Sequence, residues 1–168
     1  MDFIVPGLVM MSVIQNSYGN IASSFFGAKF SRFVEELLVS PMPDWVILGG
    51  YVAGAVVRGV AVGAIVLAIA TLFTDVHIPH PLVTFTTVLL GATIFALAGF
   101  VNAVFATKFD DVAIVPTFIL TPLTYLGGVF YSVKLLPDWA QTATYANPIF
   151  YMVNAFRHGL LGVSDVPL

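Results

Sequence analysis

Apolar residues fall in long blocks separated by short polar interruptions, and the block lengths predict helices. Residues 3–28 form the first block, long enough to cross a bilayer and without the basic start or cleavage site of a signal peptide. Within it Ser12, Asn16, Asn20 and Ser23 recur at three or four residues, so they share one helix face with Gly19 and Gly27 near it, and Gln15 lies off the centre of that stripe. Residues 29–40 change period: Phe30, Phe33, Val34, Leu37 and Leu38 follow the i, i+3, i+4, i+7, i+8 rule, and Lys29, Arg32, Glu35 and Glu36 form a polar edge. This predicts a short amphipathic helix that Pro41 and Pro43 terminate.

Three further blocks follow. Residues 46–73 are interrupted only by Arg58, residues 82–106 carry no charge, and residues 112–131 are a span of about minimum length containing Pro116 and Pro122. The two prolines predict a kink, tolerable in lipid only if neighbours re-satisfy the carbonyls they free. The segments TDVHIPHP (74–81) and TKFDD (107–111) are tight loops, with Asp110 and Asp111 placed to start a helix. Residues 132–147 turn polar around Pro137, and 149–162 are apolar but short and carry Arg157 and His158, which predicts a re-entrant or interfacial segment.

The blocks predict an all-α polytopic membrane protein, one transmembrane domain over residues 1–168 with four transmembrane helices (3–28, 46–73, 82–106, 112–131), an amphipathic helix at 29–40 and an external cap at 132–162. Composition agrees: 59% of residues are hydrophobic, 9% are charged and the mean hydropathy is +0.99, which excludes a soluble globule. A net charge of -3 leaves no basic field for nucleic acid. With no cysteine there is no disulfide, thiolate nucleophile or cysteine metal site. Lys29, Arg32 and Lys108 lie in loops on one face, against Lys134 and Arg157 on the other, so 29–44 and 107–111 are expected in the cytoplasm and both ends of the chain outside. The first span begins at Phe3, two residues after Met1 and with no hydrophilic lead-in, which leaves open that the chain is a piece of a longer one.

Candidate chemistry is sparse. The polar stripe of the first span reads as interhelical packing or as the lining of a pathway. Gly50 with Gly54, Gly59 with Gly63, and the series Ala92, Ala96, Gly99 and Ala103 predict close helix approach. Arg58 demands compensation, because a cation deep in a span costs about 2.5–3.5 kcal/mol on insertion scales; Asn16 and Gln15 are the expected partners. No nucleophile and base lie together in a span, His77 and His80 are two metal ligands at most, and no phosphate-binding GxxxxGK[ST] occurs, so catalytic, metal and cofactor sites are not expected.

The strings FIVPGLVMMSVIQNSYGNIASSFFG, EELLVSPMP, PTFILTPLTYLGGVFYSVKLLPDW and NPIFYMVNAFRHGLLG, in this order, closely resemble the type-2 ABC transporter permeases, membrane subunits of bacterial drug, polysaccharide and lipid exporters. The resemblance covers nearly the whole chain. It rests on Glu35, Glu36, Leu37 and Leu38 with Pro41 and Pro43, and on Gly127, Gly128, Leu136, Pro137, Asn147, Pro148, Tyr151 and Arg157. It implies a six-span fold of which this chain holds spans two to five, in the bacterial inner membrane among its lipids. It further implies a dimer of the permease and a separate ATP-binding cassette subunit, with ATP and magnesium on that partner. Arg32, Glu35, Glu36, Leu37 and Leu38 then form a coupling helix against the ATPase; Gln15, Asn16, Asn20 and Arg58, read from their residue types, are intramembrane polar residues that either pack and anchor the helices or line the pathway. Gly127, Gly128, Pro137, Pro148, Tyr151 and Arg157 belong to the external cap, with Trp139, Tyr145, Tyr151 and Phe156 as interfacial aromatics and Arg157 and His158 at the outer surface or a wet cavity. A non-transport membrane assembly or anchoring protein is the alternative.

Overall fold

A computed structural model describes residues 4–74, 78–129 and 137–162, including all their side chains except those of 138–140 and 143. Among these residues every regular element is helical: α1 (Ile4–Phe30), α2 (Phe33–Val39), α3 (Asp44–Ala70), α4 (Pro81–Phe105), α5 (Phe109–Ile114), a π-helical turn (Val115–Leu120), α6 (Thr121–Leu126), α7 (Asp138–Tyr145) and α8 (Pro148–Leu161). Three stretches are long and apolar enough to cross a membrane: α3, α4, and the continuous run Phe109–Leu126. The fourth long helix, α1, has 27 residues, roughly 40 Å at 1.5 Å per residue, and its polar stripe makes it the least apolar of the four. His77, Lys134, Leu136 and the stretch 130–136 of the expected fourth span and cap lie outside the described residues, as does the Trp139 side chain.

Local chemistry sets the helix ends. Pro81 opens α4 and Pro148 opens α8, positions where a missing N–H costs nothing. Asp111 reaches back over the start of α5, and its Oδ2 accepts from the backbone N–H of Thr107 (2.9 Å) and Lys108 (2.9 Å) and from the Thr107 hydroxyl (2.8 Å). Two boundaries differ from the expectation: the last long run spans Phe109–Leu126, not 112–131, because the turn at Gly127 and Gly128 ends it, and the amphipathic helix is shorter. The amphipathic helix does not run over 29–40: α1 continues to Phe30, Arg32 adopts a left-handed φ of 60° that breaks the chain direction, and α2 begins at Phe33. Lys29 therefore belongs to α1, where its Nζ donates to the carbonyls of Val104 (2.6 Å) and Ala106 (2.9 Å) at the end of α4.

The last long run stays helical through both of its prolines. A π-helical turn carries the chain through Pro116 with helical dihedrals at Val115 and Thr121, and the Pro116 carbonyl accepts from both the N–H and the hydroxyl of Thr121.

α1 is the centre of the bundle, packed between α3, α4 and α8. Gly59 and Gly63 let α3 close on it, since a Cβ at Gly59 would overlap the Ser17 hydroxyl and stand 3.0 Å from the Val13 carbonyl. At Gly99 in α4 a Cβ would lie 2.6 Å from the Tyr18 carbonyl. Gly50 and Gly54, expected to do the same, face open space in this chain. One core joins Met10, Ile14 and Tyr18 of α1 to Phe95, Leu120, Val129, Ile149, Val153 and Phe156. A second, at the Lys29 end, tilts Phe25 against Phe100 (ring centroids 4.4 Å), and Phe26 beside it meets Phe109 edge-to-face (4.9 Å).

Candidate functional site

Three places hold the residues singled out from the sequence. The first is the polar stripe of α1. Much of it is satisfied within its own helix: Ser12 Oγ donates to Leu8 O (2.9 Å), Asn16 Nδ2 to Ser12 O (2.9 Å) and Ser23 Oγ to Gly19 O (2.7 Å). The bond that crosses to another helix runs from Arg58 of α3, whose guanidinium donates to Asn20 Oδ1 at 3.0 Å. The expected partners Asn16 and Gln15 make no such bond; α1 and α3 are locked in register by Gly59 on Ser17, which leaves Asn20 opposite Arg58. Gln15, Asn16 and Asn20 nevertheless line one space of about 140 Å³ with Gly19, Ser23 and Arg58.

The second place is α2, seven residues slung between α1 and α3 with none of them buried. Arg32 precedes it and is exposed, Glu35 and Glu36 sit in its first turn and face outward with Leu38, and Leu37 is half-buried. Behind Leu37, a groove of about 290 Å³ is lined by Met42, Val46, Ile47, Gly50 and Tyr51 of the following segment. The Lys29 bonds place this end of α1 beside the turn between α4 and α5, so the two loops expected on one face do lie together.

The third place joins the end of α6 to α8. Gly127 ends α6, and Gly128 has φ 71°, a conformation glycine adopts without strain. Asn147 ties the two helices: its Nδ2 donates to Leu123 O (2.6 Å) and its Oδ1 caps α8 by accepting from Ile149 N (3.0 Å). Pro137 precedes α7, Pro148 opens α8, and the half-exposed Tyr151 donates through its hydroxyl to Tyr145 O (2.9 Å).

Here the structure corrects the sequence reading. Arg157, expected at the outer surface or facing a wet cavity, is 1% exposed, and its guanidinium donates to Gly128 O at 2.8 Å. Phe156, expected as an interfacial aromatic, is buried in the core. The reason is that α8 runs antiparallel along the first half of α4. His80 N donates to Gly159 O (3.2 Å) at one end, and Met152 approaches Gly91 at the other. That overlap reaches ten residues into α4, roughly 15 Å, so one face of α8 is enclosed.

Two residues escaped the sequence reading. Asn102, in the charge-free α4, donates through Nδ2 to Val112 O (3.3 Å), and Ser17 is the buried contact under Gly59. An asparagine inside an uncharged span was the available signal for the first.

Comparison with known proteins adds to this geometry. The ABC-2 type transporter membrane family matches residues 1–161. The chain is 57% identical over 168 residues to the inner membrane transport permease YadH of Escherichia coli K12, covering 100% of this chain and 66% of that protein. It is 26% identical over 150 residues to the probable multidrug ABC transporter permease YbhR of Escherichia coli K12, covering 88% of this chain and 40% of that one. Nodulation protein J of Sinorhizobium fredii is 23% identical over 160 residues, 95% of this chain and 61% of that protein. The chain thus spans between 40% and 66% of the length of these relatives. No solved structure matches it.

Proposed function

The chain belongs to the ABC-2 type transporter family, and from that premise we propose that it is the pathway-forming part of a permease subunit of an ATP-driven exporter, acting as a dimer with a separate ATP-binding cassette subunit. It is a multi-pass inner-membrane protein. In this reading α1 is a fourth crossing beside α3, α4 and the run Phe109–Leu126, and α2 and the turn between α4 and α5 face the cytoplasm. ATP and magnesium reside on the partner, and this chain supplies no hydrolytic group.

The observation that carries the reading is α2. This seven-residue helix has no fully buried residue: only Val34 and Leu37 are half-buried on their own chain, while apolar Leu38 and Val39 and the two carboxylates of its first turn are exposed. A partner surface that receives Glu35, Glu36 and Leu38 supplies the missing contacts. ATP-driven closure of two such partners would push α2, and α1 and α3 with it, a rigid-body change driven by remote binding energy.

The test is made on the full-length permease co-expressed with its ATPase. Replacing Glu35 and Glu36 together by Lys is expected to abolish co-purification while the permease stays monodisperse. A single Glu35→Cys is expected to react with an impermeant thiol reagent only from the cytoplasmic side. Labelling from outside intact cells, or undiminished co-purification of the double variant, overturns the coupling role and leaves an anchoring or assembly protein.

A further inference from the structure

Arg58 stands one residue past the midpoint of α3, between Asp44 and Ala70, so roughly 18–21 Å of helix separates it from either end. Lipid at that depth does not tolerate a guanidinium without compensation. Among the described residues its partner is Asn20 Oδ1 alone, at 3.0 Å, and no carboxylate pairs with it. A guanidinium carries five N–H donors, so most of its donors border the adjoining space of about 140 Å³ without an acceptor from the chain.

The rest of that space is polar and neutral. The Gln15 amide makes no bond to a described residue, the Asn20 nitrogen none, and no acidic side chain lines it. Gly19 leaves its floor open, with nothing within 4 Å of where a Cβ would stand. The fixed positive charge of Arg58, with donors left over and no carboxylate beside it, selects an anion, and the neighbouring amides can donate to it as well. From Arg58 toward the Ala70 end, Ala61, Ile65 and Ile69 continue its helix face at i+3, i+7 and i+11, and all three are exposed. A polar, cationic pocket thus opens onto an apolar track.

We propose that this pocket binds the anionic head group of an amphiphile, held by Arg58 with Gln15 and Asn20, while the apolar chain lies along the exposed face of α3. Binding stands on the geometry alone; that the amphiphile is cargo rests on the transport reading above.

The experiment uses the full-length permease in phosphatidylcholine nanodiscs, with an environment-sensitive fluorophore on Ala61→Cys as the only thiol. Dodecyl phosphate, dodecyl maltoside and inorganic phosphate are titrated separately. Charge-assisted hydrogen bonds predict that dodecyl phosphate half-saturates at a concentration about tenfold or more below dodecyl maltoside. Arg58→Gln is expected to remove that preference and Arg58→Lys to keep part of it. Equal response to both amphiphiles, an unchanged preference in Arg58→Gln, or saturation by inorganic phosphate as readily as by dodecyl phosphate overturns the proposal. Dissociation of the Arg58→Gln protein into monomers also overturns it, because Arg58 then pairs with a second copy. If Arg58→Gln does not fold, Asn20→Asp places a carboxylate on Arg58 at nearly constant shape and is expected to abolish the preference. ATPase stimulation measured with the partner subunit separates the two readings: head-group binding without it leaves the pocket and removes the cargo role.

Discussion

The side-chain amide of Asn102 in α4 donates to the carbonyl of Val112 in α5, and Val112 stands four residues before Pro116. Pro116 has no N–H to offer that carbonyl, and water is scarce in lipid, so a neighbouring helix supplies the donor. Asn102→Leu is expected to cost about 0.6–1.7 kcal/mol, the range of interhelical hydrogen bonds in membranes. In a Pro116→Ala background the same change should cost less, because the backbone pairs itself. Unfolding of the four proteins in a double-mutant cycle measures the difference; equal costs in both backgrounds would show that Asn102 does not serve the proline.

Lys29 joins the end of α1 to the end of α4 through the Val104 and Ala106 carbonyls. Lys29→Met keeps the chain length and the packing and removes both donors, with an expected loss of about 1 kcal/mol. Hydrogen exchange should rise in the last turn of α4 and leave the first turn unchanged. A uniform rise along α4 would instead mean that the bundle as a whole had loosened.

The two glycine pairs of α3 predict opposite outcomes. Gly59→Ala drives a methyl into Ser17 and the Val13 carbonyl and is expected to destabilise by about 1–3 kcal/mol, as overpacking does. Gly54→Ala meets nothing in this chain and, by removing glycine's backbone freedom within α3, should keep or raise the thermal stability of the monomeric bundle, by up to about 1 kcal/mol. In the dimer proposed above, a loss of dimer by Gly54→Ala with monomer stability intact would place that glycine at the contact between copies.

Arg157 is buried with its guanidinium on Gly128 O, so Arg157→Leu removes a charged donor from an enclosed carbonyl. The expected cost is about 1.5–3 kcal/mol, read as a lowered midpoint of thermal unfolding in nanodiscs, with Arg157→Lys recovering part of it. An Arg157→Leu protein of unchanged stability would show that the bond does not hold α8 to the glycine turn.

The run lengths of apolar residues determined the helices themselves: four long runs and a short amphipathic one were legible because bilayer thickness and the helical period act locally, residue by residue. Asp111 as a helix start and Pro148 and Pro81 as first-turn residues are equally local. Register is not local. That Arg58 meets Asn20 and not Asn16 or Gln15 depends on how deeply Gly59 seats against Ser17, a fit between two surfaces that neither helix encodes alone. The burial of Arg157 and Phe156 was likewise decided by α8 lying along α4. A short segment with an arginine satisfies an interfacial pattern and an enclosed one equally well, and the enclosed position becomes available where the glycine turn at Gly128 presents a carbonyl to the guanidinium inside the bundle.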